Sequence, residues 1–208
     1  MTNSRRPIES RSFQPLQNFA AFLSRTQVTP NQISVCSIVC AGVAAAALLL
    51  LTSWLGYLLA AVAIQLRLLC NVVDGLVAVE GGKKSALGVI YNEFPDRIAD
   101  SLIIVSAGYA ANVPWLGWVG ALLAVTTAYI RAFGCSVGLA PDFQGPMAKP
   151  QRMAVLTVGC VVGAVVHIFT DIPFVLMGAL SVVVVGSAVT CWNRTGHIAS
   201  QLQTNSSN

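Results

Sequence analysis

From Thr26 to Leu66 the chain carries no Asp, Glu, Lys or Arg. A helix needs roughly 20 residues to cross the hydrocarbon core of a bilayer, so this run holds one span and most of a second. Further uncharged runs cover 101–130, 153–170 and 172–193; the first is broken near Asn112-Val113-Pro114, and Asp171 separates the other two. Only 10% of the residues are charged, against about 25% in an ordinary soluble domain, and the mean hydropathy is +0.71. Backbone groups inside a bilayer must be satisfied within the chain, which makes uncharged runs of this length helical. The expectation is an all-α integral membrane protein. Its six transmembrane helices fall near 32–53, 56–80, 86–110, 114–138, 151–170 and 173–192.

The placement of charge gives the orientation. Arg5, Arg6, Arg11 and Arg25 precede the first span, Lys83 and Lys84 lie between the second and third, Lys149 and Arg152 between the fourth and fifth, and Arg194 after the sixth. The opposite connections carry no Lys or Arg. The positive-inside rule then puts both termini in the cytoplasm. Residues 1–28 read as a cytoplasmic N-terminal segment. In it Leu16, Phe19, Phe22 and Leu23 recur at helical spacing, so a short amphipathic helix lies in the membrane interface or packs on the bundle. Residues 29–193 are the membrane domain, and 194–208 a polar cytoplasmic tail, disordered over 201–208. The net charge is +4. Scattered juxtamembrane cations suit anionic lipid headgroups and exclude a nucleic-acid partner. The first apolar run begins too late, behind an arginine-bearing segment, for a cleavable signal peptide. The six cysteines show no CxxC spacing and read as reduced filler, with no metal or disulfide role.

Against this background the stretch from Arg67 to Asp100 stands out. It holds Asp74, Glu93, Asp96 and Asp100, with Glu80 nearer a loop. Charge in a bilayer is costly and marks functional sites. Asn71 and Asp74 are three apart and share a helix face; Asn92, Asp96 and Asp100 are four apart and share another, with Glu93 beside it. The polar turn Glu80-Gly81-Gly82-Lys83-Lys84-Ser85 joins the two helices, which predicts an antiparallel hairpin with the two stripes facing. Oxygen donors at that density suit a hard divalent cation; the alternative is a polar network that only pins two helices together. Arg67 lies deeper than Asp74 and is predicted to bridge Asp100. Pro95 should bend its helix just before Asp96, while Arg97 points elsewhere. Thr29-Pro30-Asn31 opens the first span at a helix start suited to phosphate. Arg131, Lys149 and Arg152 either bind a phosphate or anchor the bundle at the headgroups. His167, in an apolar span, and His197, in the tail, do not read as catalytic.

The spacing of this stretch resembles the signature of the CDP-alcohol phosphatidyltransferase family, D-x2-D-G-x2-A-R-x8-G-x3-D-x3-D. Here it reads Asn71-x2-Asp74-Gly75-x2-Ala78-Val79-x8-Gly88-x3-Asn92-x3-Asp96. Every interval is kept. Asn71 and Asn92 stand where the family has aspartates and Val79 where it has arginine, similar to a bacterial variant subgroup. The resemblance implies transfer of a phosphatidyl group from CDP-diacylglycerol to a small alcohol, with release of CMP, in phospholipid biosynthesis at a bacterial inner membrane, with the site cytoplasmic. It implies Mg²⁺ or Mn²⁺ held by Asn71, Asp74, Asn92 and Asp96, with Glu93 restoring one negative charge. Asp96 is the implied general base. Asn31, Gly75, Ala78 and Gly88 are the implied nucleotide contacts, and Arg131, Lys149 and Arg152 the implied contacts to the acceptor. Lys83 or Lys84 would replace the missing arginine. Two neutral residues among the ligands predict one firmly bound ion. Glycerol 3-phosphate, or another phosphorylated polyol, is the expected acceptor, and a homodimer the expected assembly. A catalytically silent relative that only binds CDP-lipid or a partner is the alternative, and a small transporter a weaker one.

Overall fold

The computed structural model describes residues 14–51, 53–80, 87–170 and 174–206. They form seven helices: α1 (Gln14–Ser24), α2 (Pro30–Leu50), α3 (Trp54–Glu80), α4 (Gly88–Ala110), α5 (Pro114–Ser136), α6 (Lys149–His167) and α7 (Phe174–Ser206). No strand occurs among the described residues. Local chemistry explains the boundaries. Thr29 caps α2 by accepting a hydrogen bond from Gln32 N at 3.3 Å, while the Gln32 Oε1 accepts from Thr29 N at 2.9 Å. This reciprocal pair satisfies two donors that a helix start otherwise leaves open, and Pro30 supplies the first turn. Between α4 and α5, Asn112 takes the left-handed conformation (φ 57°) and Pro114 begins the next helix. Asparagine tolerates that backbone better than most residues.

The long helices close a ring. α2 packs against α3, α3 against α6, α6 against α7, α7 against α5, α5 against α4, and α4 back against α2. Lipid tails are as apolar as leucine, so cohesion here comes from close packing and buried polar contacts rather than from water exclusion. The interior accordingly mixes alanines (Ala41, Ala44, Ala60, Ala107) with Ile64, Ile103, Leu156 and Leu180. α4 and α5 approach backbone to backbone: a Cβ on Gly108 would stand 2.7 Å from Gly117 Cα. Large apolar side chains such as Leu50, Val89, Leu122, Phe169 and Trp192 cover the outside, as expected of an integral membrane protein. α2, α3, α5, α6 and α7 are long and apolar enough to cross a membrane. α4 falls outside that group because it carries Glu93, Asp96, Arg97 and Asp100.

Three features refine these expectations. The polar stripes of the stretch from Arg67 to Asp100 meet through side chains, Arg67 of α3 reaching Asp96 and Asp100 of α4, while the two backbones stand apart and α2 packs against both. Spacing along a helix fixes which residues share a face but not which helix that face meets. Second, α7 runs on to Ser206, so residues 201–206 are helical rather than disordered. Arg194 Nε donates to Gln144 O at 2.9 Å, its Nη1 donates to Thr127 O at 2.7 Å, and His197 Nδ1 lies 2.9 Å from Asp142 Oδ2. These contacts hold the helix against α5 and the α5–α6 connection. Third, the amphipathic helix exists as α1 and packs on α3, with Leu16, Ala20 and Leu23 against Val73, Leu76 and Val77, while Phe19 and Phe22 stay exposed.

Candidate active site

The site begins at Asp74, in the second half of α3. Its carboxylate is buried; Oδ2 accepts a hydrogen bond from Ser34 Oγ on α2 at 2.5 Å. Its Oδ1 is buried and has no hydrogen-bond partner among the described residues. An unpaired buried carboxylate oxygen costs several kcal/mol unless something positive meets it, so this atom points to a cation. One turn earlier, the Asn71 amide donates to Arg67 O at 2.9 Å, which leaves its carbonyl oxygen as the part able to serve as a ligand.

Across the ring, α4 supplies Asp96 and Asp100. Both are buried, and Asp96 lies close enough to Asp74 for their charges to interact. Arg67 reaches over from α3: Nη2 donates to Asp100 Oδ1 at 2.6 Å and to Asp96 Oδ1 at 3.2 Å. The predicted Arg67–Asp100 bridge is present, and it extends to Asp96. The other oxygen of Asp96 forms an ion pair with Lys149 Nζ at the start of α6. The second Asp100 oxygen accepts from Arg152 Nη2 at 3.2 Å. Arg67 and Arg152 are 0% and 1% exposed. Charges this deep stay ionised only because each meets a partner.

Arg152 was expected at the acceptor. Instead its guanidinium is locked inside, with Nη1 donating to Met147 O at 3.0 Å and to Thr127 Oγ1 at 3.3 Å. It lies one turn along α6 from Lys149, and the ring closure turns that face inward. Arg97 also departs from expectation. Its long side chain curls back, placing Nη2 3.8 Å from Asp96 Oδ2 and 3.5 Å from Glu93 Oε1. Glu93 is gripped more firmly by Arg131, whose Nη2 lies 2.7 and 2.8 Å from its two carboxylate oxygens. The Arg131 guanidinium also lies over the Phe143 ring, 5.6 Å from its centroid. Asn92 is exposed, and Asn31, Gly75, Ala78 and Gly88 are half-buried. Lys83, Lys84 and the turn from Gly81 to Ser85 lie outside the described residues. His167 packs on Tyr57, with ring centroids 5.7 Å apart, on the apolar side expected of it.

Sequence reasoning missed several partners, among them Ser34, Thr127 and the Lys149–Asp96, Arg152–Asp100 and Arg131–Glu93 pairs. The only advance signal was a hydroxyl or a cation at the right depth. It also missed the meeting of Cys36, Cys40 and Cys70, whose sulfurs lie within 4.8 Å of one another. Along the outer face of α2, α4 and α5 runs an apolar groove of about 580 Å³, lined by Ala45, Leu49, Ile98, Val105 and Trp118, with Arg97 among its residues.

The donor set fits a hard divalent ion. It contains only oxygens, one of them buried and unpartnered at Asp74, and carboxylate or amide oxygens are what such ions take.

The chain is similar to several known proteins. Residues 27–192 match the family model for CDP-alcohol phosphatidyltransferase. The chain is 36% identical over 142 residues to the archaetidylinositol phosphate synthase of Aeropyrum pernix, covering 67% of this chain and 70% of that protein. It is 30% identical over 190 residues to the phosphatidylinositol phosphate synthase of Streptomyces avermitilis, covering 86% of this chain and 75% of that one. The fold resembles the crystal structure of Mycobacterium tuberculosis phosphatidylinositol phosphate synthase (PgsA1) with CDP-DAG bound, with a TM-score of 0.72 at 21% identity and coverage of 89% and 94%. The same enzyme in complex with manganese and citrate gives 0.72 at 22% identity, with 88% of each chain covered. The chain belongs to the CDP-alcohol phosphatidyltransferase family.

Proposed function

We propose that this phosphatidyltransferase moves the phosphatidyl group of CDP-diacylglycerol onto a phosphorylated polyol at the cytoplasmic face of a bacterial inner membrane. The observation that carries the reading is the unpartnered, buried Asp74 Oδ1, set close to Asp96 within the family's own spacing. Glycerol 3-phosphate was the first expectation for the acceptor. Both curated relatives are named for inositol phosphate lipids, so inositol phosphate now takes precedence. α4 acts as the sixth span, its charges facing into the ring. α1 lies at the interface, both termini are cytoplasmic, and the protein works as a homodimer.

The acceptor hydroxyl attacks the β-phosphorus of CDP-diacylglycerol, the bond to the CMP oxygen breaks, and the hydroxyl proton passes to Asp96. Arg67, donating to Asp96 Oδ1 at 3.2 Å, aims that carboxylate. A positioned base of this kind contributes about 10²- to 10⁴-fold to rate. Asn71, Asp74, Asn92 and Asp96 would hold Mg²⁺ or Mn²⁺, which neutralises diphosphate charge and steadies the leaving group. With two neutral ligands, one firmly held ion suffices, and Lys149 beside Asp96 supplies the other positive charge. Arg131 and Lys149 meet the acceptor phosphate; both are partly exposed, at 26% and 22% of the side chain. Gly75, Ala78, Gly88 and Asn31 meet the nucleotide, the small residues admitting close approach. The groove along α2, α4 and α5 takes an acyl chain, with Arg97 toward the phosphates.

A second reading is favoured by Asn71, Val79 and Asn92: the fold binds CDP-lipid without turnover. One assay separates the two. Purified protein with CDP-diacylglycerol and Mn²⁺ or Mg²⁺ is offered inositol phosphate, glycerol 3-phosphate, inositol or serine, and CMP is measured. Release that requires the metal and one phosphorylated acceptor, and that Asp96→Asn abolishes, supports the enzyme. Bound nucleotide with no CMP from any acceptor sinks it and leaves the silent relative.

A further inference from the structure

The hard-ion site accounts for the acids but not for three thiols beside it. Cys36 and Cys40, four apart on α2, meet Cys70 on α3, and their Sγ atoms lie within 4.8 Å of one another. All three are free. Small apolar filler is an ordinary use of cysteine, and Cys70 packs in part against a core cluster, yet Cys36 is exposed and Cys40 and Cys70 are only half-buried, so none of the three is a fully buried core residue. Three atoms no more than 4.8 Å apart always leave some point within about 2.8 Å of all of them, and zinc–thiolate bonds are about 2.3 Å. Rotamer adjustments of a few tenths of an ångström therefore bring three sulfurs onto one ion.

We propose that Cys36, Cys40 and Cys70 form a binding site for a thiophilic d¹⁰ divalent cation of the zinc class. Sulfur donors select such ions over Mg²⁺ or Mn²⁺, which prefer oxygen, so the two neighbouring sites sort metals by donor type. The three thiols release their protons on coordination, and the bound divalent ion leaves one net negative charge. A monovalent soft ion would leave two, a greater cost in a low-dielectric setting. Three protein donors also leave a fourth position open for water or a small ligand. Cys70 stands one turn before Asp74 on α3, and α2 presents Ser34 to that same aspartate. A metal here clamps α2 to α3 beside the Ser34–Asp74 hydrogen bond. The inference does not depend on the transfer reaction.

The test uses reduced full-length protein in detergent, titrated with Cd²⁺ and read by thiolate-to-cadmium charge-transfer absorption. The expected result is one equivalent bound per chain, unmoved by excess Mg²⁺ and retained in Cys135→Ser. In Cys70→Ser the apparent affinity should fall by about tenfold or more, since even outer partners of metal ligands are worth that much. In the unmutated protein one equivalent of Cd²⁺ should also shield Cys36, Cys40 and Cys70 together from N-ethylmaleimide, read by peptide mass spectrometry, while the exposed Cys135 still reacts. An undiminished band in Cys70→Ser, or alkylation of the three unchanged by Cd²⁺, overturns the site.

Discussion

Arg67 Nη2 lies 2.6 Å from Asp100 Oδ1, and both residues are at most 2% exposed. Asp100 receives Arg152 on its other oxygen at 3.2 Å, so one carboxylate ties α3 and α6 to α4. Removing it leaves the buried Arg152 with no carboxylate and the buried Arg67 with Asp96 alone. Breaking a buried pair from one side typically costs about 3–5 kcal/mol. Asp100→Ala should therefore lower the unfolding temperature sharply, measured by thermal shift in detergent. An unchanged melting point would mean that the network is not structural.

Ser34 is predicted to matter out of proportion to its size. Its hydroxyl is the hydrogen-bond donor to Asp74 Oδ2. Partners of metal ligands are commonly worth about 10- to 100-fold in affinity or activity. Ser34→Ala should raise the Mn²⁺ concentration needed for half-maximal CMP release within that range and leave the melting temperature close to that of the parent.

Metal stoichiometry follows from the neutral side chains at 71 and 92 and from Lys149 at Asp96. Without nucleotide, Mn²⁺ titration followed by electron paramagnetic resonance should show one tight ion per chain. Tight binding of two would refute the single-ion reading. Chelation should stop CMP release, and added Mn²⁺ should restore it.

Arg131 grips Glu93 at 2.7 Å but remains a quarter exposed, free enough to exchange that partner for a phosphate. Arg131→Gln should raise KM for the phosphorylated acceptor by about tenfold, the worth of roughly 1.4 kcal/mol. KM for CDP-diacylglycerol should hardly move. Equal effects on both substrates would assign Arg131 to holding Glu93 instead.

One contact of the site was readable in the sequence: depth alone paired Arg67 with Asp100. What could not be read was which helix stands beside which. Ser34 and Asp74 are separated by 40 residues and Arg152 and Asp100 by 52, and periodicity gives a face without naming its neighbour. Arg152 shows the cost: read as a headgroup or phosphate contact from its place near a helix start, it is buried because α6 turns that face toward α4. The C-terminal part of α7 was misjudged for a related reason. Arg194 and His197 look like tail residues until Thr127, Gln144 and Asp142 come to meet them.

The burial of Arg67 and Arg152 also sets how the protein meets changing ionic strength. Dissolved ions screen exposed charges over about 10 Å at 0.1 M salt but hardly reach buried pairs. The Arg67–Asp100–Arg152 chain is therefore a salt-indifferent floor beneath the site. Arg131, Glu93 and Lys149 are each partly exposed and therefore feel the electrolyte. Salt should then tune how readily a phosphorylated acceptor is admitted while leaving the framework that aims Asp96 untouched.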